Sequence, residues 1–400
     1  MRIKFSRLRW GCLGILCIGI LGLCGLEAAI NIWPSIGAQG ADSLRRIIGN
    51  EAVTQLETIA FQARDTLQQL KYSLGIERPT APWQPAVQVA APPAQTTPPP
   101  PTITTPVPLH SPTVMPWQPP PDIKPMGSLK GEGAWTPYIQ NAASQTVAYR
   151  TFLQPDRERP YSVVAVVAFD LTHTRLHYVL GTEEPSVPKG PKGPGQIAPE
   201  DQVPGILVAA FNGGFKATHG HFGAMSNGIV ALPPRNGLAT IAIYDDGSVR
   251  IGEWGRDIIT QTENMVAWRE NGPLVIQDGK ITQRVYSNLV SDWGGTVDGK
   301  IVTWRSGLGI SADNKTLYYF AGPNLSMPSL ARAMMAVGTS QGMLLDINAY
   351  WVHFAAISAE ADNLVAEPLL PAMKESKDRY LRVSPRDFFY VTASRNTPMN

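Results

Sequence analysis

Beyond residue 24 this 400-residue chain contains no cysteine, because Cys12, Cys17 and Cys24 are its only three. Everything after them therefore lacks a disulfide, a thiol nucleophile and a thiolate metal ligand. Charge is scarce too, at 16% of residues, where soluble domains usually carry about 25%. Lys plus Arg number 34 and Asp plus Glu 32, for a formal net charge of +2. That balance leaves no concentrated basic footprint, so no nucleic-acid partner is expected. The 44% hydrophobic content excludes wholesale disorder. What is plentiful is glycine and proline, 36 of each, and their uneven placement divides the chain.

Arg2, Lys4, Arg7 and Arg9 precede a stretch without charge from Trp10 to Leu26, and after Glu27 the chain stays apolar through Ile36. At about 1.5 Å per residue a helix of this length nearly spans a hydrocarbon layer of ~30 Å. Residues 1–36 therefore read as a signal-anchor transmembrane segment, with the basic end cytoplasmic and the remainder extracytoplasmic at the cell membrane. A cleaved signal peptide, with small residues at Ala38 and Gly40, is the competing reading.

Within 41–76, apolar residues recur at Val53, Leu56, Ala60, Ala63, Leu67, Leu70 and Leu74. These alternating steps of three and four describe a short heptad helix, which Gly75 and Pro79 end. Two roles stand for it: homo-oligomerisation through 53–74, or packing on a neighbouring surface. From 79 to 126 no hydrophobic periodicity survives and proline recurs, including Pro98-Pro99-Pro100-Pro101. Such a proline-rich linker is an extended spacer, expected to hold residues 127–400 away from the membrane.

Residues 127–400 read as one α+β domain, a β-rich mixed sheet with few helices. Strands are expected at Tyr161–Asp170, with Thr174–Leu180 as its hairpin partner, and at Gly205–Phe211. Ala239–Tyr244 and Val249–Ile251 flank the turn Asp245-Asp246-Gly247 as a hairpin. Leu274–Ile276, Lys300–Trp304 and Thr316–Ala321 add further strands. A helix is expected over Met327–Val337, with Ser329 as N-cap behind Pro328 and Gly338 as its stop. Met343–Asp346 then re-enters as a strand.

Polar residues stand where these strands end. The Gly205–Phe211 strand runs into Asn212-Gly213-Gly214-Phe215, where glycine permits positive φ and close backbone approach, leaving amides for an anion or a sugar hydroxyl. His219 and His221 follow in the same loop. They have no cysteine or third ligand beside them, so neither a metal nor another cofactor is expected. Arg305-Ser306 ends a second strand, where an arginine can grip a phosphate. Asp346 closes a third.

In this order the pieces resemble the phosphodiester glycosidase domain family. The resemblance runs through Asn212-Gly213-Gly214-Phe215, the Asp-Gly hairpin, Asn271-Gly272-Pro273-Leu274, Arg305-Ser306 and Leu344-Leu345-Asp346, and covers roughly Ser162 to Phe354. It implies a hydrolase acting on a carbohydrate or sugar-phosphate substrate, with Asp346 and Arg305 catalytic and His219 or His221 protonating a departing oxygen. Asn212, Gly213, Gly214 and Ser306 would then bind substrate, with Tyr350 and Trp351 beside them. Two departures are visible. The family's Arg-Thr is Arg305-Ser306 here, and its glycine-rich turn after the aspartate is replaced by Ile347-Asn348-Ala349-Tyr350-Trp351. The expected function is hydrolysis of a sugar-1-phosphodiester bond in cell-envelope or exopolysaccharide glycans. The alternative is a non-catalytic glycan-binding module, for which Trp293, Tyr350 and Trp351 would supply stacking rings. Convergence of Asn212, Arg305, Asp346 and a histidine on one cleft favours the enzyme, whereas Tyr350 or Trp351 filling that cleft favours the binder.

Overall fold

The computed structural model describes residues 40, 43–45, 47–83, 117–293, 299–361, 363–373 and 375–394. The anchor expected at 1–36 lies outside them. Among the described residues no helix is long and apolar enough to cross a membrane.

Strand Val164–Asp170 sets the plan. All seven of its residues are buried, which suits an apolar, β-branched run with no polar alternation. Successive side chains of a strand point to opposite faces. Ala165, Val167 and Phe169 accordingly enter one apolar cluster, and Val164, Val166 and Ala168 enter another. The strand thus divides two cores.

It lies in an eight-stranded sheet of order Thr136–Gln140, Thr146–Leu153, Val164–Asp170, Thr316–Leu325, Thr303–Ile310, Gln341–Leu344, Ile276–Gln277 and Lys280–Ile281. A five-stranded sheet orders Ile229–Leu232, Ala224–Ser226, Met265–Glu270, Ala239–Tyr244 and Val249–Glu253. Another orders Asn363–Pro368, Phe354–Glu360, Leu207–Asn212, Phe388–Ala393 and Thr174–Val179. Val208 and Phe211 of the last, with Ile241 and Ile251 of the second, share the first core with Val167 and Phe169.

The β-rich architecture with few helices is as expected, but the strand pairs are antiparallel rather than mixed. One pairing differs as well. Thr174–Val179 does not return beside Val164–Asp170; it crosses to another sheet and pairs with Phe388–Ala393. Proximity in sequence suggested a hairpin, whereas the long-range aromatic partner strand wins.

Helix α1 (Asn50–Ser73) covers the region expected as the heptad helix, and it lies on the domain. Val53 is buried, Phe61 packs on the second core, and Tyr72 stacks with Tyr161 at 5.7 Å. Asp65 accepts a two-pronged bond from Arg159 at 2.8 and 2.6 Å. The seam residues Leu56, Leu70 and Leu74 stay exposed.

Residues 84–116, most of the expected linker, lie outside the described residues, and both described flanks lie against the strand Thr146–Leu153. Trp83 meets Phe152 and Arg150, while Trp117 stacks on Tyr149 at 5.3 Å.

Helix α2 (Met327–Ala336) buries Met327, Leu330 and Met334 in the second core. Its N-cap is Ser326, with Ser329 completing a capping box three residues on, a reciprocal arrangement that satisfies two end amides. Ser329, expected as the cap, is its partner.

Candidate active site

Leu207–Asn212 is the middle strand of its sheet, flanked by Phe354–Glu360 and Phe388–Ala393. The register places Asn212 opposite Phe388, so Asp387 falls beside Gly213. The Gly213 amide donates to the Asp387 carbonyl at 3.1 Å and the Gly214 amide to Asp387 Oδ2 at 3.2 Å. A methyl group on Gly213 would stand 2.3 Å from that carboxylate oxygen. Gly213 is there for close approach to Asp387, while a methyl on Gly214 would stand 3.0 Å from Arg269 and Asn271. Their amides are already bonded, so the amide-lined anion nest expected from the sequence is not present.

Asn212 fastens three segments together. Its Nδ2 donates to Gly213 O and Ser306 Oγ, both at 2.9 Å, while its Oδ1 accepts from Tyr319 Oη at 2.9 Å and the His353 amide at 3.2 Å. Ser306 carries the link onward, donating from its amide and hydroxyl to the Asp346 carbonyl at 2.9 and 3.0 Å. Asn271 ties the next loop in, accepting from the Phe215 amide and donating to the carbonyls of Leu344 and Leu345. A buried amide side chain this fully bonded fixes geometry.

Asp346, 5% exposed, comes off the end of Gln341–Leu344. Its Oδ1 accepts from the Ile347 amide at 2.8 Å and its Oδ2 from Arg386 Nη2 at 2.8 Å. Burial raises its pKa; the Arg386 charge and the Ile347 amide pull it down, and neighbouring Asp387 pushes it further up. Arg386 also donates to Gly214 O at 2.7 Å and lies under the Trp351 ring at 4.5 Å. Asp387 Oδ2 is held by Arg269 Nε at 2.8 Å and Tyr178 Oη at 3.0 Å, whereas its Oδ1 has no protein partner. Arg386 Nε likewise has none. Arg379 bonds the Tyr350 carbonyl at 2.8 Å and stands against the rings of Tyr350, Trp351 and Tyr380.

One cleft gathers Asn212, Gly213, Gly214, Asp346, Trp351, Arg379, Tyr380, Ser384, Arg386 and Asp387 around a cavity of ≈ 10 Å³. That is room for about one water. Trp351, leaning on Arg386, narrows it.

Several expected site residues are elsewhere. Arg305 is fully buried, with Nε on the Leu325 carbonyl at 2.9 Å and Nη2 on the Ile301 carbonyl at 2.8 Å. Alternation along Thr303–Ile310 explains it: Ser306 points towards Asn212, so Arg305 points the other way. Its guanidinium braces the chain and does not line the cleft. Ser306 is wholly buried and spent on Asn212 and Asp346. His219 is half-buried and His221 exposed, and neither lines the cleft. Tyr350 holds Trp351 edge-on at 4.4 Å, and Trp293 is a fully buried core residue, not an exposed ring. Among the described residues no group of three His, Cys, Asp or Glu could hold a metal ion.

Arg379, Tyr380, Arg386 and Asp387 were not singled out from the sequence. The signal was present in Ser384-Pro385-Arg386-Asp387 immediately before the aromatic run Phe388-Phe389-Tyr390. It has the same form, polar residues at a buried strand's end, that marks Asn212.

Two carboxylates with an arginine at strand ends, and Arg379 beside them on the short 3-10 turn Arg379–Leu381, are groups that a glycosidase-type hydrolase can use. Residues 206–346 match the phosphodiester glycosidase family model. Arg386 and Asp387 lie beyond the matched segment. Three solved structures are similar at lower levels. The zebrafish N-acetylglucosamine-1-phosphodiester alpha-N-acetylglucosaminidase catalytic domain, auto-inhibited by its pro-peptide, is 15% identical over 64% of this chain and 88% of its own, with a TM-score of 0.40. A hypothetical protein from Synechocystis is 10% identical over 65% and 64%, with a TM-score of 0.35. A putative exported protein from Burkholderia pseudomallei is 10% identical over 58% and 74%, with a TM-score of 0.26. No curated protein matches the chain.

Proposed function

We propose that the chain hydrolyses a sugar-1-phosphodiester bond in cell-envelope or exopolysaccharide glycans, from an extracytoplasmic position held by a membrane anchor at 1–36. The observation that carries this reading is the cleft in which Asp346, Arg386 and Asp387 meet at the end of the strand leading to Asn212. When such a bond breaks, the electron pair leaves on the phosphate oxygen and the anomeric carbon gains oxocarbenium character. Water then adds to that carbon and gives up a proton. Arg386 and Arg379 are the cations placed to take the charge of the departing phosphate, a role expected of Arg305 from its place at a strand end. The Asp346 and Asp387 carboxylates are placed to stabilise the carbon cation or accept the water's proton. The exposed Leu56, Leu70 and Leu74 of α1 leave an apolar stripe for a second copy of the chain.

The test is turnover of a sugar-1-phosphodiester by the full-length chain. Asp346→Asn and Arg386→Gln should each slow it by about 10²–10⁴-fold. Undiminished turnover in both variants refutes the assignment. The size of the cleft favours a second reading, a glycan-binding module with Trp351 as its stacking ring. In that case neither the native chain nor Trp351→Ala turns over substrate, and glycan affinity falls in the variant. For the hydrolase, Trp351→Ala keeps turnover and admits bulkier substrates.

A further inference from the structure

A cavity of ≈ 810 Å³ is lined by none of the residues that line the Asp346 cleft. We infer that it is a separate binding site for phosphate groups, sized for a short phosphate-bearing oligomer. Five cationic side chains line it, Lys124, Arg157, Arg159, Lys300 and Arg332, against two carboxylates, Asp156 and Glu158. In a chain whose charges nearly balance, this is a local surplus.

The acids cancel only part of it. Asp156, 5% exposed, is bonded through Oδ1 to the amides of Glu158 and Arg159, at 3.1 and 3.2 Å, and its Oδ2 lies 3.7 Å from Arg159 and 3.8 Å from Arg332. Glu158 points to solvent, 86% exposed, with Arg159 at 3.6 Å. Arg159 is neutralised from behind by Asp65 of α1, which also fixes its position. Even with Asp65 counted, cations outnumber acids by two.

Arg332 is held in place by donating Nε to the Pro155 carbonyl at 2.6 Å, with Nη2 3.8 Å from Asp156 Oδ2, and its guanidinium lines the cavity wall. Lys124 and Arg157 are exposed at the rim. The start of α2, at Ser326 and Pro328, completes the wall. Its amides are taken, with Met327 bonded to the Gly299 carbonyl and Ser329 to Ser326 Oγ, so recognition falls to the side chains. A concave site with a surplus of one sign of charge concentrates its field, and guanidinium forks with ammonium groups match phosphate oxygens. The volume fits several linked units, not one ion.

Binding can be measured whether or not the Asp346 cleft is active, which keeps this inference separable from the proposed hydrolysis. Calorimetric titration of the full-length chain would use inorganic phosphate, a glycerol-phosphate oligomer and a neutral oligosaccharide. The oligomer should bind, weaken steeply as salt rises, and outbind the neutral sugar. Lys124→Gln combined with Arg157→Gln should weaken it by about tenfold or more, leaving sugar-1-phosphodiester turnover unchanged. Both positions are exposed, and an unchanged melting temperature would establish that the fold is intact. Arg332→Lys, which keeps the charge and loses the fork, should weaken binding less than the double variant. Inorganic phosphate binding as tightly as the oligomer would identify a free phosphate as the ligand. Equal affinity for the neutral sugar, no binding of either phosphate probe, or unchanged binding in the double variant would overturn the inference.

Discussion

Replacing Glu270 with glutamine should remove a pH dependence from the stability of this fold. Glu270 ends the strand Met265–Glu270 and is wholly buried. Burial pushes its carboxyl up from 4.5 to about 7, against the opposing pull of the Arg235 and Gly223 amides, which donate to it at 2.8 Å each. A folded pKa above the unfolded one means that the folded protein binds more protons between the two values. Stability from this group is therefore complete below pH 4.5 and is lost as pH rises towards about 7. At about 1.4 kcal/mol per pH unit, the whole window is worth roughly 3 kcal/mol. Glutamine cannot titrate, and its NH₂ faces one of the two amides, adding a pH-independent cost of about 1–3 kcal/mol. Urea unfolding of the full-length chain and of Glu270→Gln, from pH 4 to 8, isolates the effect as the difference between the two curves. The native chain should lose its advantage as pH rises. A flat difference, or an advantage that grows with pH, refutes the reasoning and shows that the two amides dominate over burial.

Three other perturbations follow from the same structure. His353 is fully buried, and burial, aided by the Arg379 charge, lowers its pKa from 6.5 to about 3. Its sign is opposite to that of Glu270: stability is complete above pH 6.5 and falls as pH drops towards 3, so His353→Gln should blunt acid unfolding in a pH-dependent melting series. Gly213→Ala puts a methyl 2.3 Å from Asp387 Oδ2, and displacing that buried carboxylate from Arg269 should cost about 3–5 kcal/mol, read as a fall in urea midpoint. Asp65→Ala strands Arg159 and loosens α1, which should appear as faster amide exchange in Asn50–Ser73 with the sheets unaffected.

The sequence disclosed what is encoded locally. The apolar runs Val164–Asp170 and Leu207–Asn212, the Asp-Gly hairpin and α2 with its glycine stop each carry their signal within a few residues. Asn212, Gly213, Gly214 and Asp346 were legible because polar residues at buried strand ends stand out. Arg305 was misread because side-chain direction depends on the register of a strand against its neighbours, which one chain's pattern does not specify. Thr174–Val179 was paired wrongly for a similar reason: its partner, Phe388–Ala393, is more than two hundred residues away. Trp83 and Trp117, which put both flanks of the proline segment on one strand, sit in a stretch without hydrophobic periodicity, so nothing local marks their contacts.

The pairing of Leu207–Asn212 with Phe388–Ala393 also sets the order in which the site comes into being. Asn212 and Asp346 are made well before Arg386 and Asp387, so while the chain is emerging the middle strand has one open edge and Asp346 has no cation. Gly213 and Gly214 then have no carboxylate for their amides, and Arg269 no counterion. The cleft is complete only when the strand beginning at Phe388 is delivered to that edge. A chain stalled or clipped shortly before residue 386 would retain the entire segment matched to the family model and still lack two of the charged groups that line the cleft.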